Sequence, residues 1–176
     1  MYLSTDKIYL REVRLSDLTQ GYCDWLNDPE VNRYLETRFY IQTLADIKEY
    51  WENYQRDADE PWFAICKKDQ FGGEEHIGNI KLGPISWVHR RAEVSLVLKK
   101  EYWGRGYGSE AINLISRYAF QTLDLHKLTA GIYDLNKGSK RAFENVGFNR
   151  EALLVNHVFL DGKYEDVILM AKFNDS

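Results

Sequence analysis

Proline and cysteine are scarce in this chain, and no excess of positive charge is present. Its 176 residues include three prolines and two cysteines. With so few prolines and no low-complexity tract, nothing marks an interdomain linker, and the length suits one compact domain over residues 1–176. Cys23 and Cys66 lie far apart without CxxC spacing. That argues against a disulfide framework or zinc site and fits a reducing compartment. The four histidines show no metal-ligand spacing, so no metal is expected. His76 and His89 read as surface residues beside loops, and His126 as part of a turn. A formal net charge of −4 supplies no blanket of positive potential, so nucleic acid is not expected as a partner. No stretch approaches the roughly 18 apolar residues of a membrane span, and Met1–Lys7 has no apolar leader core. The expectation is a cytoplasmic protein without a membrane anchor.

What the chain does have is a core-forming composition, 44% hydrophobic and 14% aromatic. Ile8–Leu15 alternates and reads as a strand. Ser16 or Asp17 can cap a helix carrying Leu18, Tyr22, Trp25 and Leu26, and Asn27-Asp-Pro-Glu30 reads as a turn. Thr43 can cap a second helix over 44–56. Three strand-like segments follow, 62–67, 76–85 and 92–98, separated by 69–75 and 87–91. Ser109–Phe120 has a strong helical period, Leu128–Tyr133 is a short strand, and Ser139–Val146 is a short helix stopped by Gly147. Strands at 150–159 and 164–172 are joined by Asp161-Gly162, a hairpin signal. The order β-αα-βββ-α-β-α-ββ predicts an α+β (α/β) domain with a mixed, mostly antiparallel sheet.

The chemistry concentrates between strand 92–98 and the helix after it. Gly104, Gly106 and Gly108 alternate with Arg105 and Tyr107, and Ser109 opens the helix. Glycines at such positions let the backbone take φ > 0 and approach a ligand without a Cβ in the way. Their amides, the helix's first unpaired N–H groups and roughly half a positive charge from its dipole would suit a phosphate or pyrophosphate. Arg105 adds a mobile cation. Two other readings stay open: a glycine-rich turn serving close packing, and a dinucleotide fingerprint at Gly106-x-Gly108-x-x-Ala111. The second wants its glycines directly after the strand, whereas five residues (99–103) intervene. No Gly-Lys-Ser/Thr follows, so a P-loop is excluded.

Tyr102-Trp-Gly-Arg-Gly-Tyr-Gly-Ser-Glu-Ala111 resembles the acetyl-CoA-binding motif of the GNAT acetyltransferases. Its Trp-Gly-Arg-Gly-Tyr wording is similar to the branch that includes the ribosomal-protein alanine N-acetyltransferases. Many relatives carry Gln or Arg where this chain has Trp103. The likeness spans nearly the whole chain: Leu10-Arg11, Asn27-Asp-Pro-Glu30, Ile77-Gly-Asn79, Ala92-Glu93, Asn136-Lys-Gly-Ser139 and Asn145-Val-Gly-Phe148. It implies a GNAT-like, mostly antiparallel central sheet of about seven strands flanked by four helices. It also implies direct attack of a primary amine on acetyl-CoA in a ternary complex.

By position, the resemblance gives Leu96, Val97 and Leu98 the pantetheine arm through main-chain groups, with a nearby N–H as oxyanion donor. It gives the pyrophosphate to Gly104, Arg105, Gly106, Tyr107, Gly108 and Ser109. Asn136 and Ser139 fall near the thioester end, with Ser139 a candidate for returning a proton to the thiolate. Glu93 matches the acidic residue that acts as base, often through water. The residues themselves leave alternatives: 94–98 as an ordinary buried strand, Asn136 or Ser139 as a helix cap, and Glu93 in an ion pair with Arg90 or Arg91. His157 lies close to where some relatives place an acidic base, although a packed strand histidine explains it as well. Tyr34, Phe39 and Tyr40 either shape an acceptor pocket or pack in the core. The acceptor is expected to be a protein N-terminus or a small amine. An amino-deoxy sugar nucleotide is an alternative, as is a non-catalytic acyl-CoA sensor. Dimers being frequent among similar proteins, a homodimer is left open.

Overall fold

A computed structural model describes residues 3–54, 59–68 and 73–174. The strands are β1 (Ile8–Glu12), β2 (Trp62–Lys68), β3 (Glu74–Leu82), β4 (Arg91–Leu98), β5 (Lys127–Tyr133), β6 (Asn149–Leu160) and β7 (Lys163–Phe173). The helices are α1 (Gln20–Leu26), α2 (Leu44–Tyr54), α3 (Tyr107–Gln121) and α4 (Lys137–Glu144). One seven-stranded sheet runs β1-β2-β3-β4-β5-β7-β6. The expected 69–75 turn and the end of the second helix fall partly on 69–72 and 55–56, outside the described residues.

Strand alternation sorts the two faces. In β2, Trp62, Ala64 and Cys66 pack with Tyr22, Cys23 and Ile47 of α1 and α2. The intervening Ile65 belongs to the larger core built on Ile112, Leu114 and Ile115 of α3. A two-residue side-chain period under two helical layers produces this division. Both cysteines are buried and unbridged.

The β6–β7 hairpin turns at Asp161 and Gly162, with φ of 52° and 85°. Both values suit the tight turn that matches strand twist.

Three local expectations are corrected. The α1 cap is Thr19, whose hydroxyl accepts from Tyr22 N at 3.2 Å, rather than Ser16 or Asp17. Asp17 is engaged elsewhere: it accepts from the Arg11 guanidinium at 2.7 and 2.8 Å and from Arg14 N at 2.7 Å. His76 is not a surface residue. Its ring stacks on Tyr22 at 5.6 Å, meets the edge of Trp25 at 5.9 Å, and places Nε2 2.8 Å from Asn79 Oδ1. Burial holds its pKa below the ordinary value, against the opposing hydrogen bond to Asn79. Finally, α3 starts at Tyr107 rather than Ser109, because left-handed Gly106 (φ 85°) occupies the N-cap position.

Every neighbouring strand pair is antiparallel except β4–β5, which the α3 crossover makes parallel. That pairing covers only Arg91↔Lys127 to Glu93↔Thr129. Beyond it β4 stays with β3 while β5 stays with β7. A wedge opens in mid-sheet.

Candidate active site

The wedge exposes one edge of β4. Gly83 N donates to Glu93 O at 2.8 Å, and Lys99 N to Ile77 O at 2.9 Å. Odd-numbered residues of β4 therefore spend their main-chain groups on β3. By alternation, Leu96 and Leu98 turn theirs toward the side that β5 has left. Val97 turns its amide and carbonyl to β3, so of the three expected residues it lines the cleft without offering an outward main-chain pair. The Leu98 carbonyl already accepts the Trp103 indole N–H at 2.9 Å, which fixes that aromatic ring against the end of the strand.

The glycine turn continues this edge. Gly104 and Gly106 have φ of 69° and 85°, and a β-carbon on either would meet no atom within 4 Å. The backbone there borders open space in a conformation that favours glycine. Gly108 differs: a β-carbon would lie 3.6–3.7 Å from Leu96, Leu98 and Ala142, in ordinary contact. The first helical bond of α3 runs from Glu110 N to Gly106 O at 3.1 Å. The amides of Tyr107, Gly108 and Ser109 precede it and have no intrahelical acceptor. Converging N–H groups at a helix start suit an anion. These features fit the diphosphate of a coenzyme A.

The side chains of the turn are otherwise engaged. Tyr107 packs edge-on against Tyr102 at 5.7 Å. The Ser109 hydroxyl donates to Ala142 O at 3.2 Å. Each is therefore available to an anion through its amide. Arg105 is exposed, 5.9 Å above the Tyr102 ring, with no carboxylate partner among the described residues.

A cleft of about 690 Å³ joins Leu96–Leu98 and the glycine turn to Asn136 and Ser139 across the wedge. Of the residues expected in the site, Glu93, Arg105 and Tyr107 do not line it. Asn136 is indeed a helix cap, its Oδ1 accepting from Ser139 N at 3.1 Å. Capping and lining hold together, since the cap spends the amide and leaves the Ser139 hydroxyl uncommitted.

Glu93 occupies the last paired position of β4, where the wedge begins. Its neighbours Ala92 and Val94 are buried in the α3 core, so its carboxylate projects from the opposite face. The anticipated ion pair is not found: Arg90 binds Asp124 at 2.7 Å, and no described cation pairs with Glu93. Its Oε1 lies 3.8 Å from where a Gly131 β-carbon would sit, beside Val167 and Leu169. His157 is not packed in the sheet; it is exposed within the β6 irregularity between Leu154 and Val158.

The far wall of the cleft is the segment from Glu30 to Leu35; sequence reasoning singled out Tyr34 and the Asn27-Asp-Pro-Glu30 motif that leads into it, but not Val31, Arg33 or Leu35. Tyr34 packs edge-on against Tyr133 at 5.8 Å. Phe39 and Tyr40 are 57% and 73% exposed, so core packing does not account for them. Arg141 also lines the cleft and had no distinguishing signal, because nothing local marks which side of a short polar helix faces a ligand. Among the described residues no group of three His, Cys, Asp or Glu could hold a metal ion, and no helix is long and apolar enough to cross a membrane.

Comparison with known proteins agrees with this geometry. The acetyltransferase (GNAT) domain family matches residues 7–149. An uncharacterized N-acetyltransferase of Bacillus subtilis is 31% identical over 91% of this chain and 89% of its own. The spermidine N(1)-acetyltransferase of Escherichia coli is 29% identical, covering 97% of this chain and 88% of its own. The spermidine N-acetyltransferase of Vibrio cholerae, solved with CoA and spermine, superposes with a TM-score of 0.85 at 26% identity, covering 97% of both chains.

Proposed function

We propose that this chain, which belongs to the GNAT acetyltransferase family and draws its acyl group from acetyl-CoA, acetylates a primary amine of a small aliphatic polyamine. The chain is an N-acetyltransferase, and the acceptor is the step beyond that. The observation that carries it is the near full-length likeness to spermidine acetyltransferases in two organisms. The unpaired Glu93 carboxylate at the mouth of the wedge supports it, since a carboxylate suits a cationic amine.

In this reading the turn at 104–109 holds the diphosphate and the outward groups of Leu96 and Leu98 hold the pantetheine arm. The thioester then lies between Glu93 and Ser139. Glu93 accepts the amine's proton, directly or through water, because only a neutral amine attacks the carbonyl carbon. A β4 amide facing the wedge stabilises the developing oxyanion. As the carbon–sulfur bond breaks, the Ser139 hydroxyl lies on the path that returns a proton to the thiolate. The homologue from Vibrio cholerae has been solved as a dodecamer, and a multimer of this chain fits better than an isolated homodimer.

Release of free thiol from acetyl-CoA tests the reading with spermidine, spermine, putrescine, an alanine-initiated peptide and an amino-deoxy sugar nucleotide. Turnover on the polyamines with a silent peptide and sugar is the expected result. Turnover confined to the peptide would restore the ribosomal-protein type of acceptor, and turnover confined to the sugar nucleotide that alternative. Tight cofactor binding with silence on every amine would mark a sensor.

A further inference from the structure

The segment between α1 and α2 forms the far wall of the cleft, and one side chain ties that wall to the sheet. Arg38 is nearly enclosed, its side chain 12% exposed. Its Nη1 donates to Leu35 O at 3.0 Å and to the Tyr133 hydroxyl at 2.9 Å, while Nη2 donates to Phe159 O at 2.9 Å. The guanidinium lies 4.2 Å from the Phe39 ring centroid and 5.3 Å from that of Tyr133. The Tyr133 hydroxyl in turn donates to Glu36 Oε1 at 2.5 Å, so it both donates and accepts. One planar cation thus joins the wall's own backbone, the end of β5 and the end of β6.

The placement of Tyr133 gives the contact its importance. It is the last residue of β5, three positions before Asn136, which caps α4 and lines the cleft. Tyr133, Gly131 and Thr129 share a strand face by alternation, the face onto which Glu93 projects. Tyr34 of the wall also packs edge-on against Tyr133, and two ion pairs, Glu30 to Lys100 and Arg33 to Asp161, join substantially exposed side chains. Exposed pairs of this kind are weak and salt-screened. Among these polar ties, the enclosed clasp is the one that can set a distance.

We propose that Arg38 is a positioning residue for the transfer reaction, holding the wall from Glu30 to Leu35 at a fixed separation from Tyr133 so that an amine entering beside Glu93 meets the thioester. Arg38 touches neither substrate in this scheme. Its influence is on where the acceptor can sit, and the cofactor cradle lies on the other wall. The proposal rests on the amine-transfer reaction and not on which amine is used.

The test compares Arg38→Ala, Arg38→Lys and Tyr133→Phe with the unaltered chain, using spermidine as acceptor and CoA for affinity. For Arg38→Ala the KM for spermidine should rise about tenfold or more, as small misplacements do, with the CoA dissociation constant within about twofold. Arg38→Lys keeps the charge but cannot form the three-way fork, so it should recover only part of the loss. Tyr133→Phe should reproduce part of it. Hydrogen exchange should accelerate by about tenfold over residues 30–39 in Arg38→Ala and stay unchanged over α3 and α4. An unchanged KM, or a KM and CoA constant that rise together with a general loss of exchange protection, would overturn the proposal. If the unaltered chain ignores spermidine, the polyamine reading fails, and the exchange pattern alone decides whether Arg38 holds the wall.

Discussion

The Glu93 carboxylate and Gly131 face one another where β4 and β5 part, Oε1 lying 3.8 Å from the position a Gly131 β-carbon would take. The absent side chain leaves room for a substrate beside the carboxylate. Gly131 does not have a positive φ, so a larger residue is sterically permissible in the backbone. Gly131→Val should therefore retain the fold, with a melting temperature within a few degrees, while raising the KM for the amine. Unchanged kinetics would show that the amine does not approach over this face.

Glu93→Gln keeps the shape and removes the proposed base. Turnover should fall by about 10²–10⁴, the usual worth of positioned proton transfer, with CoA affinity preserved. Isothermal titration beside steady-state rates separates the two effects. Full turnover in the variant would pass the role to water or another group.

Gly106 tests the cradle. Its φ of 85° strains any β-branched residue, though no atom lies within 4 Å of the added carbon. Gly106→Val should cost about 1–3 kcal/mol of stability through the backbone alone and weaken CoA binding by a larger factor, because the branched side chain stands where the diphosphate would approach. Equal affinity would contradict the diphosphate assignment.

Asn136 and Ser139 are separable despite their shared hydrogen bond. Asn136→Ala should lose about 1 kcal/mol, the ordinary worth of an N-cap side chain, visible in a denaturation midpoint. Ser139→Ala keeps the capped amide and should leave stability nearly unchanged while lowering turnover. If Ser139→Ala reacts at the normal rate, its hydroxyl is not on the proton path.

His76 predicts a pH dependence of stability. Burial lowers its pKa from the ordinary 6.5, so the unfolded chain binds its proton more readily than the folded one. Stability should be full above about pH 6.5 and fall as pH drops below it. The loss levels off once the folded-state pKa has been passed. Urea midpoints between pH 7.5 and 5 should show this slope in the unaltered chain and a shallower one in His76→Gln. Equal slopes would place the titrating group elsewhere; the Asp17 carboxylate, whose pKa is lowered, acts only at more acid pH.

Much of the candidate site's framework was legible because its signals are local. The strand-like run 92–98 marked β4, the helical period marked α3, and the glycines at 104, 106 and 108 allowed the positive φ that Gly104 and Gly106 adopt. Asp161-Gly162 specified its turn for the same reason. These depend on steric limits within a few residues.

What local chemistry could not express was decided by packing between distant segments. The wedge exists because β5 leaves β4 for β7 after Thr129, a competition between strand partners that no single strand encodes. That departure selects Leu96 and Leu98, and not Val97, as the residues with main-chain groups to offer. The burial of His76 depends on Tyr22 and Trp25 arriving from α1, and the Arg38 clasp on Tyr133 and Phe159, 95 and 121 positions further along the chain. The sequence by itself determined most of the elements and the glycine turn, since those follow from backbone sterics and side-chain period. The tertiary structure alone decided the width of the wedge, the freedom of Glu93 and the wall that faces it, because each is set by contacts between residues remote in the chain.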